Sequence, residues 1–134
     1  MQNTDNVNSI ADYNAILNVA QIYVEGLKTG NIDQLKQTFH PDGLMSGIMP
    51  DGKLITKLQF LFDFTAENGP ASDVKSHISI LHKAETAAVV LVELENLQGE
   101  VGSTDYLSML LIDGEWKIIS KAFNLYWVTS DKLC

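Results

Sequence analysis

The groups able to do chemistry in this chain are few and far apart. Its three histidines, His40, His77 and His82, share no metal-ligating spacing with one another or with paired carboxylates, so no metal is expected. Cys134 is the only cysteine and ends the chain, which leaves neither an internal disulfide nor a Cys/His nucleophile pair. The sequence also lacks a Gly-rich phosphate loop and a Gly-x-Ser-x-Gly, which removes kinase, Rossmann dehydrogenase and serine-hydrolase readings. What remains is acid/base chemistry with no cofactor expected. Asp105 falls, by strand register, on an apolar face, where a poorly solvated carboxylate makes an effective proton acceptor. His77 can act as acid or base near neutral pH. A bland reading competes with each: Asp105 as a rim residue bonded to Ser103 or Thr104, and His77 as a strand-entry residue.

The elements that must position these groups are helices first and strands later. Ile10, Tyr13, Ile16, Leu17, Ala20, Val24 and Leu27 recur at three- and four-residue spacings, which predicts one amphipathic helix. Ser9 to Asp12 resembles its capping box, and Gly30 marks its end. Residues 1–8 before it are expected to be flexible. Asn31 can cap a second helix carrying Ile32, Leu35 and Phe39. His40 to Gly43 stops that helix, and Leu44 to Ile48 follows as a short strand. Thr56 can cap a third helix with Leu58, Leu61 and Phe62. Past residue 73 the period becomes two, predicting strands over 74–83, 86–98, 101–112 and 115–128. Asp113-Gly114 is a type I′ hairpin signal, and the short connections make these strands antiparallel neighbours. The class is α+β.

Counting back from a two-residue loop at Asp113-Gly114 pairs Leu111 with Trp116, Met109 with Ile118, Leu107 with Ser120 and Asp105 with Ala122. Leu107, Met109 and Ile118 then share the core face with Asp105, Ser120 and Asn124. Lys117 and Lys121 fall on the other face, beside Glu93 and Glu95. Loops at Gly99-Glu100 and Ala84-Glu85 add Val90, Val92, Leu94 and His77 to the core face. That sets His77 and Asp105 roughly 10 Å apart, close enough to flank one small molecule. A one-residue error in any loop flips the assignment.

With 134 residues, 46% hydrophobic and 19% charged, the chain suits one domain over 1–134, burying roughly two-thirds of its unfolded surface and leaving room for a cavity. Nine basic residues, all lysine, against 17 acidic ones give a net charge of −8, which disfavours nucleic acid and anionic membrane as partners. The chain starts without a basic and apolar leader pattern, so a soluble, cytoplasmic protein is expected.

Tyr23 and Gly26 before Gly30-Asn31, Phe39-His40-Pro41-Asp42-Gly43, Tyr106-Leu107, and Asp113-Gly114-Glu115-Trp116-Lys117-Ile118 leading into a last strand line up in order. Together they make the chain similar to the nuclear transport factor 2-like, or ketosteroid-isomerase-like, superfamily, most of all its lumazine-binding branch. The resemblance implies a cone of three N-terminal helices wrapped by a strongly curved antiparallel sheet, a pocket at the open end, and commonly a homodimer through the outer sheet face. Its enzymes place carboxylates, His or Tyr on the concave sheet and first helix. By position, Asp105 and His77 correspond to such groups, with Tyr13 or Tyr23 supplied by the helix. A clear pair of pocket carboxylates is lacking, and the absence of arginine excludes the Asp-Arg-Asp arrangement of its epoxide hydrolases.

The leading functional expectation is a homodimeric binder of a small apolar or aromatic ligand, lined by Tyr23, Leu107, Met109 and Ile118, with Asp105, His77 or Asn124 orienting it. An isomerase, dehydratase or cyclase using Asp105 and His77 is the alternative. A protein-interaction module using the sheet is the third reading. The dimer would cover an outer apolar strip of Ile119, Phe123, Leu125 and Trp127.

Overall fold

Four strands form where the two-residue period predicts them, and the first helix brings its apolar stripe onto their inner face. The computed structural model describes residues 4–128. Along the chain run α1 (Thr4–Thr29), α2 (Ile32–Thr38), β1 (Phe39–Ile48), β2 (Leu54–Ile55), α3 (Gln59–Asn68), β3 (Lys75–Lys83), β4 (Ala87–Glu95), β5 (Val101–Ile112) and β6 (Glu115–Trp127). The strands make one sheet in the order β2-β1-β6-β5-β4-β3. Every neighbouring pair is antiparallel except β1 with β6, because the α3 to β5 segment carries the chain across the sheet before β6 returns beside β1. The sheet is therefore mixed, with α1 lying across β3, β4 and β6.

Ile16, Ala20, Tyr23 and Leu27, spaced four, three and four residues apart, are the buried face of α1. Asn31 caps α2 as expected, its side chain accepting from the Gln34 N–H at 3.0 Å. Two other caps differ from expectation. The helix already runs from Thr4, so Ser9 lies inside it, and Asp12 instead pairs with Lys83 Nζ at 3.3 Å. At α3 the cap position is Leu58, and Thr56 lies outside the helix.

Register separates even slips from odd ones. The β4–β5 turn spans Asn96 to Glu100 rather than two residues, so Val92 faces Asp105 and Leu94 faces Ser103. That two-residue slip keeps Val90, Val92, Leu94 and Asp105 on the inner face. The β3–β4 turn is also two residues longer than expected, but an irregularity at Leu81 takes one step back and leaves a net slip of one residue. His77 therefore pairs with Glu93 on the outer face, and Ile78 and Ile80 turn inward. In β6 the pairing runs as predicted through Met109 opposite Ile118, then jumps to Ser108 opposite Ser120. Ile119 is the extra residue of a β-bulge. Beyond it Lys121, Phe123 and Leu125 face inward and are buried, while Ala122 and Asn124 face out. The outer strip predicted for a dimer thus loses Phe123 and Leu125 to the interior.

Gly47 of β1 sits directly beneath Phe123, and a Cβ there would come 2.3 Å from the ring. We expect Gly47→Ala to cost about 1–3 kcal/mol in urea unfolding, because the buried ring of Phe123 must shift to admit the methyl group. No change in stability would show that the ring has room to move.

Candidate functional site

Three side chains from two layers meet on the inner face. Tyr23 projects from the buried stripe of α1, Asp105 from β5 and Lys121 from β6 just past the bulge. The Tyr23 hydroxyl donates to Asp105 Oδ2 at 2.6 Å, and Ser103, two residues along the same strand face, donates to Oδ1 at 2.5 Å. Lys121 Nζ lies 3.7 Å from Oδ2, with side-chain exposures of 7% and 1% for the pair. The lysine also stands over the rings of Tyr23 and Phe123, at 5.1 and 5.3 Å. Edge-on packing of Tyr23 against Phe39, and of Phe39 against Phe62, anchors the tyrosine ring from behind.

This trio forms the polar floor of a cavity of about 40 Å³, room for a few waters or the end of a small molecule. Its walls are apolar, made by Leu27, Met45, Leu61, Leu94, Phe123 and Leu125. Phe60 and Phe64, half-buried on α3, also line it and divide it from a surface groove toward Met49 and Trp127. Gln98 ties the rim together, donating to the Gly69 carbonyl at 3.0 Å.

Burial shifts both Tyr23 and Lys121 from their ordinary proton affinities. Desolvation first, and the Asp105 carboxylate second, hold the Tyr23 hydroxyl well above its ordinary 10.0, so it stays a proton donor. Desolvation lowers Lys121 from 10.5, with Asp105 opposing. In an unfolded chain tyrosine ionises near pH 10, so above that pH the folded state binds more protons and loses stability as pH rises. The Tyr23 contribution is thus fully present below pH 10. Lys121 acts with the opposite sign, raising stability as pH climbs toward 10.5. We expect Tyr23→Phe to cost about 1–3 kcal/mol at neutral pH through the hydrogen bond lost to buried Oδ2, yet to show a shallower alkaline loss above pH 10 than wild type. Parallel alkaline curves in urea titrations would contradict this.

The other sequence candidates lie elsewhere. Leu107, Met109 and Ile118 are fully buried in the core between sheet and helices, away from the cavity lining. Tyr13 is 44% exposed beneath Lys83 Nζ. Asn124 is exposed on the outer face, turned there by the bulge. His77 is 75% exposed, 3.8 Å from Glu93, and does not join Asp105. Sequence reasoning missed Lys121, which it placed outside. A signal was present: inward apolar residues run Trp116, Ile118, then Phe123, Leu125, a change from even to odd numbers that only a one-residue bulge reconciles. Among the described residues no three His, Cys, Asp or Glu groups converge on a metal-sized site, and no helix is long and apolar enough to cross a membrane.

Residues 11–124 match the family described as "Putative lumazine-binding". The chain belongs to that family. Its fold and relatives place it in the nuclear transport factor 2-like superfamily. A curated relative, the aldolase FrzH of a Cladobotryum species, is 34% identical over 116 residues, 87% of this chain and 93% of that protein. Among solved structures, a nuclear transport factor 2-like protein of unknown function from Methylobacillus flagellatus KT aligns with a TM-score of 0.82 and 31% identity, covering 88% of this chain and 94% of that one. Another, from Shewanella baltica os155, has a TM-score of 0.79 and 26% identity over 88% and 96% of the two chains.

Proposed function

We propose that this protein is an enzyme that binds a small carbonyl compound and moves a proton at the carbon next to the carbonyl, the first step of aldol chemistry. The observation that carries this is the buried Tyr23–Asp105–Lys121 cluster on the floor of an apolar cavity. A carboxylate shielded from water is a proton acceptor, and the neighbouring lysine charge stabilises the enolate left behind. Tyr23, locked in its protonated form, holds Oδ2 in place. The aldolase FrzH, similar over most of both chains, supports a reaction of this class. The half-buried Phe60 and Phe64 would close over the rest of the molecule.

The test is deuterium uptake from solvent by simple aldehydes and ketones, followed by NMR. Exchange at the α-carbon well above the buffer rate supports the reading. Compounds that raise the melting temperature but never exchange would leave a binder alone.

The outer face supports pairing with a second copy. Across it Leu91, Tyr106 and Ala122 form one row, and Val89 and Leu44 flank the next. Such a face is covered most economically by its own twofold mate. A monomer by light scattering at tens of micromolar, an ordinary affinity range, would remove this part of the proposal.

A further inference from the structure

The proton-transfer reading uses only the charge of Lys121 and leaves its amine without a task. The Lys121 side chain lines the cavity beside Asp105, with Nζ 3.7 Å from Oδ2. Two aromatic rings, Tyr23 and Phe123, fix the direction of Nζ. The side chain reaches the cavity because the bulge at Ile119 turns it inward, and it then lies almost wholly out of water. A structural ion pair needs no open space in front of its nitrogen, whereas a nucleophile does.

We propose that Lys121 is the covalent nucleophile of this site and that its substrates are aldehydes or ketones, held as an iminium during proton transfer to Asp105. The step rests on the proton-transfer reading above. The ammonium first passes a proton to Asp105, and the free amine adds to the carbonyl carbon while the carbonyl oxygen takes that proton, giving a carbinolamine. Loss of the oxygen as water, which carries away a second proton, forms the C=N bond with one positive charge on nitrogen. Asp105 then accepts the α-proton, and the C–H electron pair becomes the double bond of an enamine. The enamine carbon bonds to a second carbonyl carbon, whose oxygen is protonated by Asp105. Water adds back across C=N and releases the amine. One water leaves and one returns, and no oxidant or reductant is needed. The positive charge that stabilises the carbanion is the one the proton-transfer reading requires, now bonded to the substrate. Burial lowers the Lys121 pKa, which raises the share of free amine at neutral pH.

The probe is 2,4-pentanedione, a diketone that condenses with free amines to a water-stable enaminone absorbing in the near ultraviolet. Applied to the full chain near neutral pH and followed by peptide mapping, it is expected to label Lys121 ahead of every other lysine, because burial favours its free amine. The labelling rate of Lys121 should also rise at lower pH than that of the surface lysines. Mapping of the wild-type protein carries the decision, so a variant that folds poorly cannot obscure it. Lys121→Arg keeps the charge beside Asp105, forms no enaminone at that position, and should lose the fast phase of the near-ultraviolet band while the slower surface lysines still label. Label spread evenly over the lysines, or a Lys121 that stays unmodified, overturns the proposal. Deuterium exchange by a protein whose Lys121 takes no label would keep proton transfer and overturn the covalent step. A labelled Lys121 without exchange would support the nucleophile and overturn the proton-transfer reading.

Discussion

Asp105→Asn is expected to lower the rate of α-deuterium exchange by about 10²–10⁴-fold while leaving the affinity for the same carbonyl compound within about a few-fold. The amide keeps the shape of the carboxylate. Its oxygen can still accept from Tyr23 or Ser103, whose hydroxyls rotate to suit the other position. It cannot take up a proton from carbon. Rates that remain at the wild-type level would mean that another group removes the proton. A loss of affinity comparable to the loss of rate would mean that Asp105 only holds the ligand.

Lys121→Met should be the most damaging of these changes to stability, at about 3–5 kcal/mol in urea unfolding, because it leaves the carboxylate of Asp105 buried without its counter-charge. Methionine fills a similar volume, so lost packing contributes little. The double variant Lys121→Met/Asp105→Asn is expected to recover a substantial part of that loss, since a neutral amide needs no cation. Such non-additivity is the mark of two groups in direct contact. If the two single losses simply add, the pair is not energetically coupled and Asp105 is neutralised by other means.

Much of the polar floor was legible one residue at a time. Asp105 falls on the inner face in any register that differs from the predicted one by an even number, and the longer β4–β5 turn is such a case. Tyr23 was named for the pocket by resemblance while the stripe read from spacing took Val24 instead, and the structure places Tyr23 with Ile16, Ala20 and Leu27 on the buried face of α1. Ser103 was named beside Asp105 as the partner of a wet-rim carboxylate, and the bond exists in a dry interior. The meeting of Tyr23 with Asp105, 82 positions apart in the chain, was not legible, because helix-to-sheet distance is set by core packing that no local pattern encodes.

By itself the sequence determined the order of helices and strands apart from the two-residue β2, the Asp113-Gly114 hairpin, the Asn31 cap and the Ile16, Ala20 and Leu27 part of the apolar stripe of α1, all of them consequences of periodicity and turn chemistry over a few residues. Phe39 to Gly43, read as helix end and turn, instead open β1. Tertiary structure decided which polar groups share an interior. A strand's two faces are exchanged by a single extra residue, and the pleat gives no warning of where that residue will be accommodated. At Leu81 one such step carried His77 out to Glu93. At Ile119 another carried Lys121 in to Asp105, because burying Phe123 and Leu125 against the helices outweighs keeping one ammonium in water, provided a carboxylate waits beside it.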